Sequence, residues 1–171
     1  KLGKLFTNYV GAHPLAGSEK RSAANARAGL FKDSLCIITP VKATNRTALK
    51  KVVEFWRRLE AKTILLSPSE HDRILAFVSH LPHAIAFSLI DCIPAGYLRF
   101  ASGGLKDTTR IAASDSVIWE DIFLSNQQNI LKTIRSFESN LSVLKSALKA
   151  KSKSRLHKIL KLAKAKRESL R

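Results

Sequence analysis

The sequence predicts an α/β unit followed by an all-α unit, with helix over most of its length. Three observations carry that reading. Short runs rich in β-branched and aromatic residues cluster before Ser67. A segment with helical spacing lies between two of them. After Ser67 each apolar pattern repeats with a helical period.

The elements follow in chain order. Residues 9–12 and Leu35–Thr39 read as strands, and residues 63–66 as a third. Between the second and third, residues 44–59 place Leu49, Val52, Val53 and Trp56 at helical spacing. Strand, helix, strand implies a parallel sheet with a crossover helix. Three strands with so little helix cover leave a sheet face bare. Residues 1–66 therefore read as the second half of a doubly wound domain. Residues 67–171 form the helical remainder. Ser67-Pro68-Ser69-Glu70 is a helix start: Ser67 caps, Pro68 takes the first position and Glu70 closes a capping box. Residues 74–93 then carry apolar side chains on nearly every side, which predicts a central helix covered by others. Pro82 should kink it near His80 and His83. Apolar residues from Ile122 to Leu148 mark a long amphipathic helix, and residues 155–170 a last one.

Composition excludes several classes. With 171 residues the chain holds one domain or slightly more, and 45% hydrophobic residues suffice for a core. The stretch 74–93 is interrupted by Ser79, His80, Pro82, His83, Ser88 and Asp91, so it reads as a buried helix rather than a membrane span. The amino terminus lacks the long apolar region of a secretory signal. Cys36 and Cys92 share no metal-ligand spacing and read as reduced thiols of a cytoplasmic protein. The chain has no Met, which suggests a preceding segment. The net charge of +17 concentrates late: residues 145–171 hold eleven Lys or Arg against Glu168 alone. A basic helical module that binds nucleic acid is thus the rival reading, weakened by the lack of interleaved aromatics.

Few groups could do chemistry. His13 follows an apolar run, where the end of a strand meets a loop, and histidine exchanges a proton near neutral pH. Arg110 closes Gly103-Gly-Leu-Lys-Asp-Thr-Thr-Arg110 and offers a two-pronged carboxylate clamp; Asp107 reads as a helix cap beside it. His80 and His83 have a tempting spacing, but no third ligand falls at a fitting offset, so no metal is expected. The His71-Asp72 pair reads as structural, and Trp119 as core. No G-x-G-x-x-G turn is present, which would place the phosphate-binding loop upstream of Lys1.

Taken in order, several blocks resemble the prephenate/arogenate dehydrogenase family of tyrosine biosynthesis. They are Gly11-Ala-His-Pro-Leu-Ala-Gly-Ser-Glu19, Ser67-Pro-Ser-Glu-His-Asp72, Val78-Ser-His-Leu-Pro-His83, Gly103 to Arg110 and Trp119-Glu-Asp-Ile-Phe-Leu-Ser-Asn126. The resemblance implies the C-terminal half of a Rossmann-like domain followed by an all-α dimerisation domain. It implies NAD- or NADP-dependent oxidative decarboxylation of prephenate to 4-hydroxyphenylpyruvate, or of arogenate to tyrosine, in a cytoplasmic homodimer. By resemblance His13 is catalytic and Arg110 holds a substrate carboxylate. Ser79, His83 and Gly103 line the substrate pocket, Glu19 and Asp107 gate it, and Trp119 enters the neighbouring subunit's site.

Overall fold

A computed structural model describes residues 6–16 and 29–170. Glu19 lies outside the described residues. The chain divides into two compact units, Lys1–Gln127 and Gln128–Arg171.

The first unit begins with a three-stranded sheet in the order β1-β2-β3, formed by β1 (Gly11–Pro14), β2 (Leu35–Thr39) and β3 (Lys62–Leu65). β2 and β3 are parallel, in the register Leu35↔Lys62 to Ile38↔Leu65. Helix α1 (Arg46–Arg58) is the crossover between them. Asn45 starts it, its side-chain oxygen accepting from the Thr47 and Ala48 amides at 2.8 and 3.1 Å. Leu49, Val52, Val53 and Trp56 on one face of α1 pack on Cys36, Ile38 and Ala61. Phe31 meets Trp56 edge-on, ring centres 5.1 Å apart. Ile37, pointing to the other face of β2, is also buried.

The expected all-parallel sheet needs one correction. β1 runs antiparallel to β2, pairing Gly11 with Thr39 and Pro14 with Cys36. An antiparallel edge strand on a parallel sheet is a common arrangement. The strand also begins two residues later than its apolar run, because Tyr9 donates to the Phe6 carbonyl in a turn. His13 is therefore inside β1, opposite Ile37, not in the loop after it. Gly11 has a packing reason: a β-carbon there would fall 2.5 Å from Thr39 Oγ1.

Every regular element described after Ser67 is helical. α2 (Pro68–Leu75) starts with the capping box read from the sequence: Ser67 Oγ accepts from the Glu70 amide, and Glu70 accepts from the Ser67 amide at 3.0 Å. α2 packs against β2. The helix then passes through a π-turn (Ala76–His80) into α3 (Leu81–Asp91). Here the expected effect of Pro82 is realised as a wider turn. Proline has no N–H and crowds the preceding turn, and the Leu81 amide reaches back five residues to the Ala76 carbonyl.

The expectation that residues 74–93 are buried is not met within one chain. Leu75, Ala76 and Ala86 are buried, but Phe77 is 50% and Val78 63% exposed. The continuous helix Pro68–Asp91 is long and apolar enough to cross a membrane by length and composition. Among the described residues of the first unit, the helices packed on it leave these side chains uncovered.

A 3₁₀ segment (Ala95–Phe100), α4 (Gly103–Thr109) and a second 3₁₀ segment (Arg110–Ala113) follow; α4 and the second segment both pack on α3. Asp107 lies inside α4 instead of capping it, because the helix already begins at Gly103. α5 (Ser116–Ser125) is capped by Asp115, which accepts from the Val117 and Ile118 amides. The single long helix expected through residues 122–148 is broken at Asn126, where α5 ends and α6 (Gln127–Lys149) begins. In the second unit α6 turns into α7 (Lys153–Glu168) through Lys151, which takes a left-handed φ of 48°. Ser152 caps α7. Val143, Ala147, Ile159 and Leu162 line a groove between the two helices.

Candidate active site

β1, α2, the π-turn and α3 gather four histidines in the first unit. His13 projects from β1, and its Nδ1 lies 2.8 Å from Nε2 of His71. The two rings are tilted by 56°, with centres 5.2 Å apart. His71 sits one turn into α2, where the cap at Ser67 holds the start of the helix. Its Nδ1 donates to Asp72 Oδ1 at 2.9 Å. Backbone at this pair is tied from a distance: Asn126 Nδ2 donates to the Asp72 carbonyl at 2.7 Å and approaches His80 Nδ1 at 3.2 Å.

A second cluster lies along the helix. His83 Nδ1 donates to the Ser79 carbonyl at 2.9 Å, one turn back. The His83 ring stacks on Trp119, 3.5 Å between centres and 20° from parallel. Trp119 also meets His80 and Phe123 edge-on, and Phe123 meets Phe87. The resemblance implied that Trp119 serves the neighbouring subunit. In this structure it is engaged by its own chain's His83, because α5 returns Trp119 to α3.

The electrostatics favour neutral imidazoles. Partial burial, then the charge of His71, lowers the pKa of His13. Burial lowers His80 as well; His71 adds to this and Asp72 opposes it. Burial is the first cause at His83 too, opposed by its bond to Ser79 and reinforced by the positive charge of Arg110. Neutral histidines keep a lone pair available to accept a proton. Arg110 is exposed and follows α4 directly. Gly103 opens α4, and Asp107 Oδ2 lies 4.0 Å from where a Gly103 β-carbon would be, an ordinary contact distance.

The structure thus joins His83 to Ser79 and Trp119, brings Arg110 within electrostatic reach of His83, and sets Gly103 beside Asp107. His13 is joined instead to His71, a residue whose sequence context points to a structural role. Asn126 went unremarked as a site residue. The signals were present: a histidine next to an aspartate just past a capping box, and an amide ending an apolar run. Among the described residues no group of three or more His, Cys, Asp or Glu is placed to hold a metal ion.

Two family models match this chain. One described as prephenate dehydrogenase, nucleotide-binding domain, matches residues 1–65, and one described as prephenate dehydrogenase, dimerization domain, matches residues 67–162. The chain belongs to the prephenate dehydrogenase family. A cyclohexadienyl dehydrogenase of Zymomonas mobilis is 35% identical over 147 residues, covering 81% of this chain and 50% of that protein. A prephenate dehydrogenase of Bacillus subtilis is 32% identical over 168 residues, covering 95% of this chain and 45% of that protein. The fold is shared with the crystal structure of prephenate dehydrogenase from Aquifex aeolicus in complex with hydroxyphenyl propionate and NAD+. The TM-score is 0.93 and the identity 37%, covering 99% of this chain and 62% of that one. This member of the prephenate dehydrogenase family spans about half the length of the curated relatives it matches.

Proposed function

We propose that this chain forms the catalytic and substrate-binding part of a prephenate dehydrogenase, an enzyme that oxidatively decarboxylates prephenate to 4-hydroxyphenylpyruvate. The observation that carries the reading is His13: a solvent-accessible imidazole with a lowered pKa, held by a second histidine, on the sheet of a nucleotide-binding fold. The parallel β2-α1-β3 unit fits a dinucleotide, since such sheets bind ligands beyond the carboxyl ends of their strands. Thr39 and Leu66, at the ends of β2 and β3, would border it. NAD is favoured by the Aquifex aeolicus complex, with NADP the alternative. When bound, the nicotinamide accepts the hydride.

The chain's own residues supply the rest. His13 accepts the proton of the ring hydroxyl as that carbon becomes a carbonyl. Departure of the ring carboxylate as carbon dioxide then leaves an aromatic ring. Arg110 holds a substrate carboxylate with its fork of N–H groups. His83, fixed through Nδ1 by the Ser79 carbonyl and stacked on Trp119, turns a neutral Nε2 toward the substrate. Gly103 lines the substrate pocket at the start of α4, and the family resemblance assigns Asp107 and Glu19 as its gate. We place the boundary between cofactor and substrate parts at residue 66, between the two matched family segments. The exposed apolar side chains of Phe77 and Val78 support a homodimer through residues 67–171. The free thiols of Cys36 and Cys92 fit the cytoplasm.

Prephenate-dependent reduction of NAD by the intact protein tests the reading, with His13→Asn as the control. Turnover in the variant should fall by roughly two to four orders of magnitude while substrate still binds. No reduction by the wild type, or a variant within a few-fold of it, would overturn the assignment. The fold shared with Synechocystis arogenate dehydrogenase, at 25% identity and a TM-score of 0.84, favours arogenate as the second reading, and comparing kcat/KM for the two substrates decides between them.

A further inference from the structure

His71 and Asp72 have no part in the mechanism above, yet they form a continuous hydrogen-bonded chain to its central residue. We propose that this pair is a positioning device that fixes His13 in one tautomer, with hydrogen on Nδ1 and the lone pair on Nε2. The proposal rests on reading His13 as the base.

Donors and acceptors along the chain set the direction of each bond. An ionised aspartate can only accept, so the 2.9 Å contact puts a hydrogen on His71 Nδ1. A neutral His71 then has a bare Nε2. The 2.8 Å contact between that atom and His13 Nδ1 needs one hydrogen, which must come from His13. His13 Nε2 is left as the acceptor, free to take the hydroxyl proton. An unrestrained imidazole prefers the opposite tautomer, with hydrogen on Nε2 and the lone pair on Nδ1, which could not take a proton at Nε2. The pair is anchored at both sides: the capping box fixes the first turn of α2, and Asn126 holds the Asp72 carbonyl.

The arrangement also has a built-in reversal. Protonating His71 turns its Nε2 from acceptor into donor. His13 Nδ1 must then accept, its hydrogen moves to Nε2, and the base is lost. The titratable groups set against the pair are Asp72 on α2, bonded to His71, His80 on the π-turn, which feels both histidines, and Cys36 on β2, which meets the His13 backbone. His80 turns its Nδ1 to Asn126, and it is His71 that meets His13.

The test uses the intact protein with ¹⁵N-labelled histidine and needs no cofactor. Long-range nitrogen–proton spectra should show the His13 hydrogen on Nδ1 in the wild type. His71→Phe removes the acceptor and should shift His13 toward the Nε2–H form. His71→Gln keeps an acceptor carbonyl at that place and should retain the Nδ1–H form. In turnover, His71→Phe should lower kcat by roughly ten- to a hundredfold, the size of loss that follows when the partner orienting a functional histidine, such as a metal-bound one, is removed. KM should change little, and His71→Gln should recover most of the loss. Hydrogen on Nε2 of His13 in the wild type overturns the proposal. So does equal impairment of both variants, which would mark a structural role. If the wild type fails to oxidise prephenate, the functional reading falls, while the nitrogen spectra still decide the direction of the hydrogen bond.

Discussion

Replacing Trp119 by Leu tests how the aromatic cluster sets the state of His83. Leucine keeps an apolar side chain at that place on α5 but removes the flat face on which His83 lies, 3.5 Å away and 20° from parallel. Three ring contacts disappear, the closer ones with His83 and Phe123 and a longer one with His80. Aromatic pairs contribute about 0.5–1.5 kcal/mol each beyond burial, so the change should destabilise the fold by roughly 2 kcal/mol. The more specific effect is on titration. Burial is the first cause of the lowered pKa of His83, and removing the indole admits water to one face of the ring. The pKa of His83 should rise toward the ordinary histidine value, although Arg110 still opposes protonation. His13, whose lowering comes from burial by other neighbours and from His71, should hardly move. Urea denaturation and an NMR titration of all five histidines read both effects. The reasoning fails if His83 keeps its wild-type pKa, or if His13 shifts as much as His83.

Three further outcomes are expected. Arg110→Lys keeps the charge but loses the fork, and should raise KM for prephenate far more than it lowers kcat; an unchanged KM would count against the clamp. His13, His80 and His83 all have folded pKa values below the ordinary histidine value. The unfolded chain therefore binds protons more readily, so stability is fully present above about pH 6.5 and is lost as pH falls toward the lowered values, which denaturation midpoints across that range will show. Val78→Glu places a charge on the exposed apolar face of the helix and should turn a stable homodimer into monomers in sedimentation; a wild type that is monomeric at micromolar concentration would refute the dimer.

What the sequence alone determined lies in short-range physics. The capping box at Ser67 was legible because its donors and acceptors lie within four residues of one another. So was the β2-α1-β3 crossover, since helical spacing between two β-branched runs leaves little other choice. Pro82 announced a disturbance, but the form it took, a π-turn, depended on how the preceding turn could re-pair its amides. The direction of β1 was decided by tertiary pairing, because an apolar run looks the same read toward either end of a neighbouring strand. The apolar period crosses Asn126 unbroken; the helix divides there, and the Asn126 side chain bonds the Asp72 carbonyl 54 residues away. His71 meets His13 across 58 residues, and Trp119 reaches His83 by the return of α5 onto α3. Hydrogen-bond partners and ring contacts at such separations leave no periodic trace in a chain, because the chain closes these distances only when the sheet and helices pack.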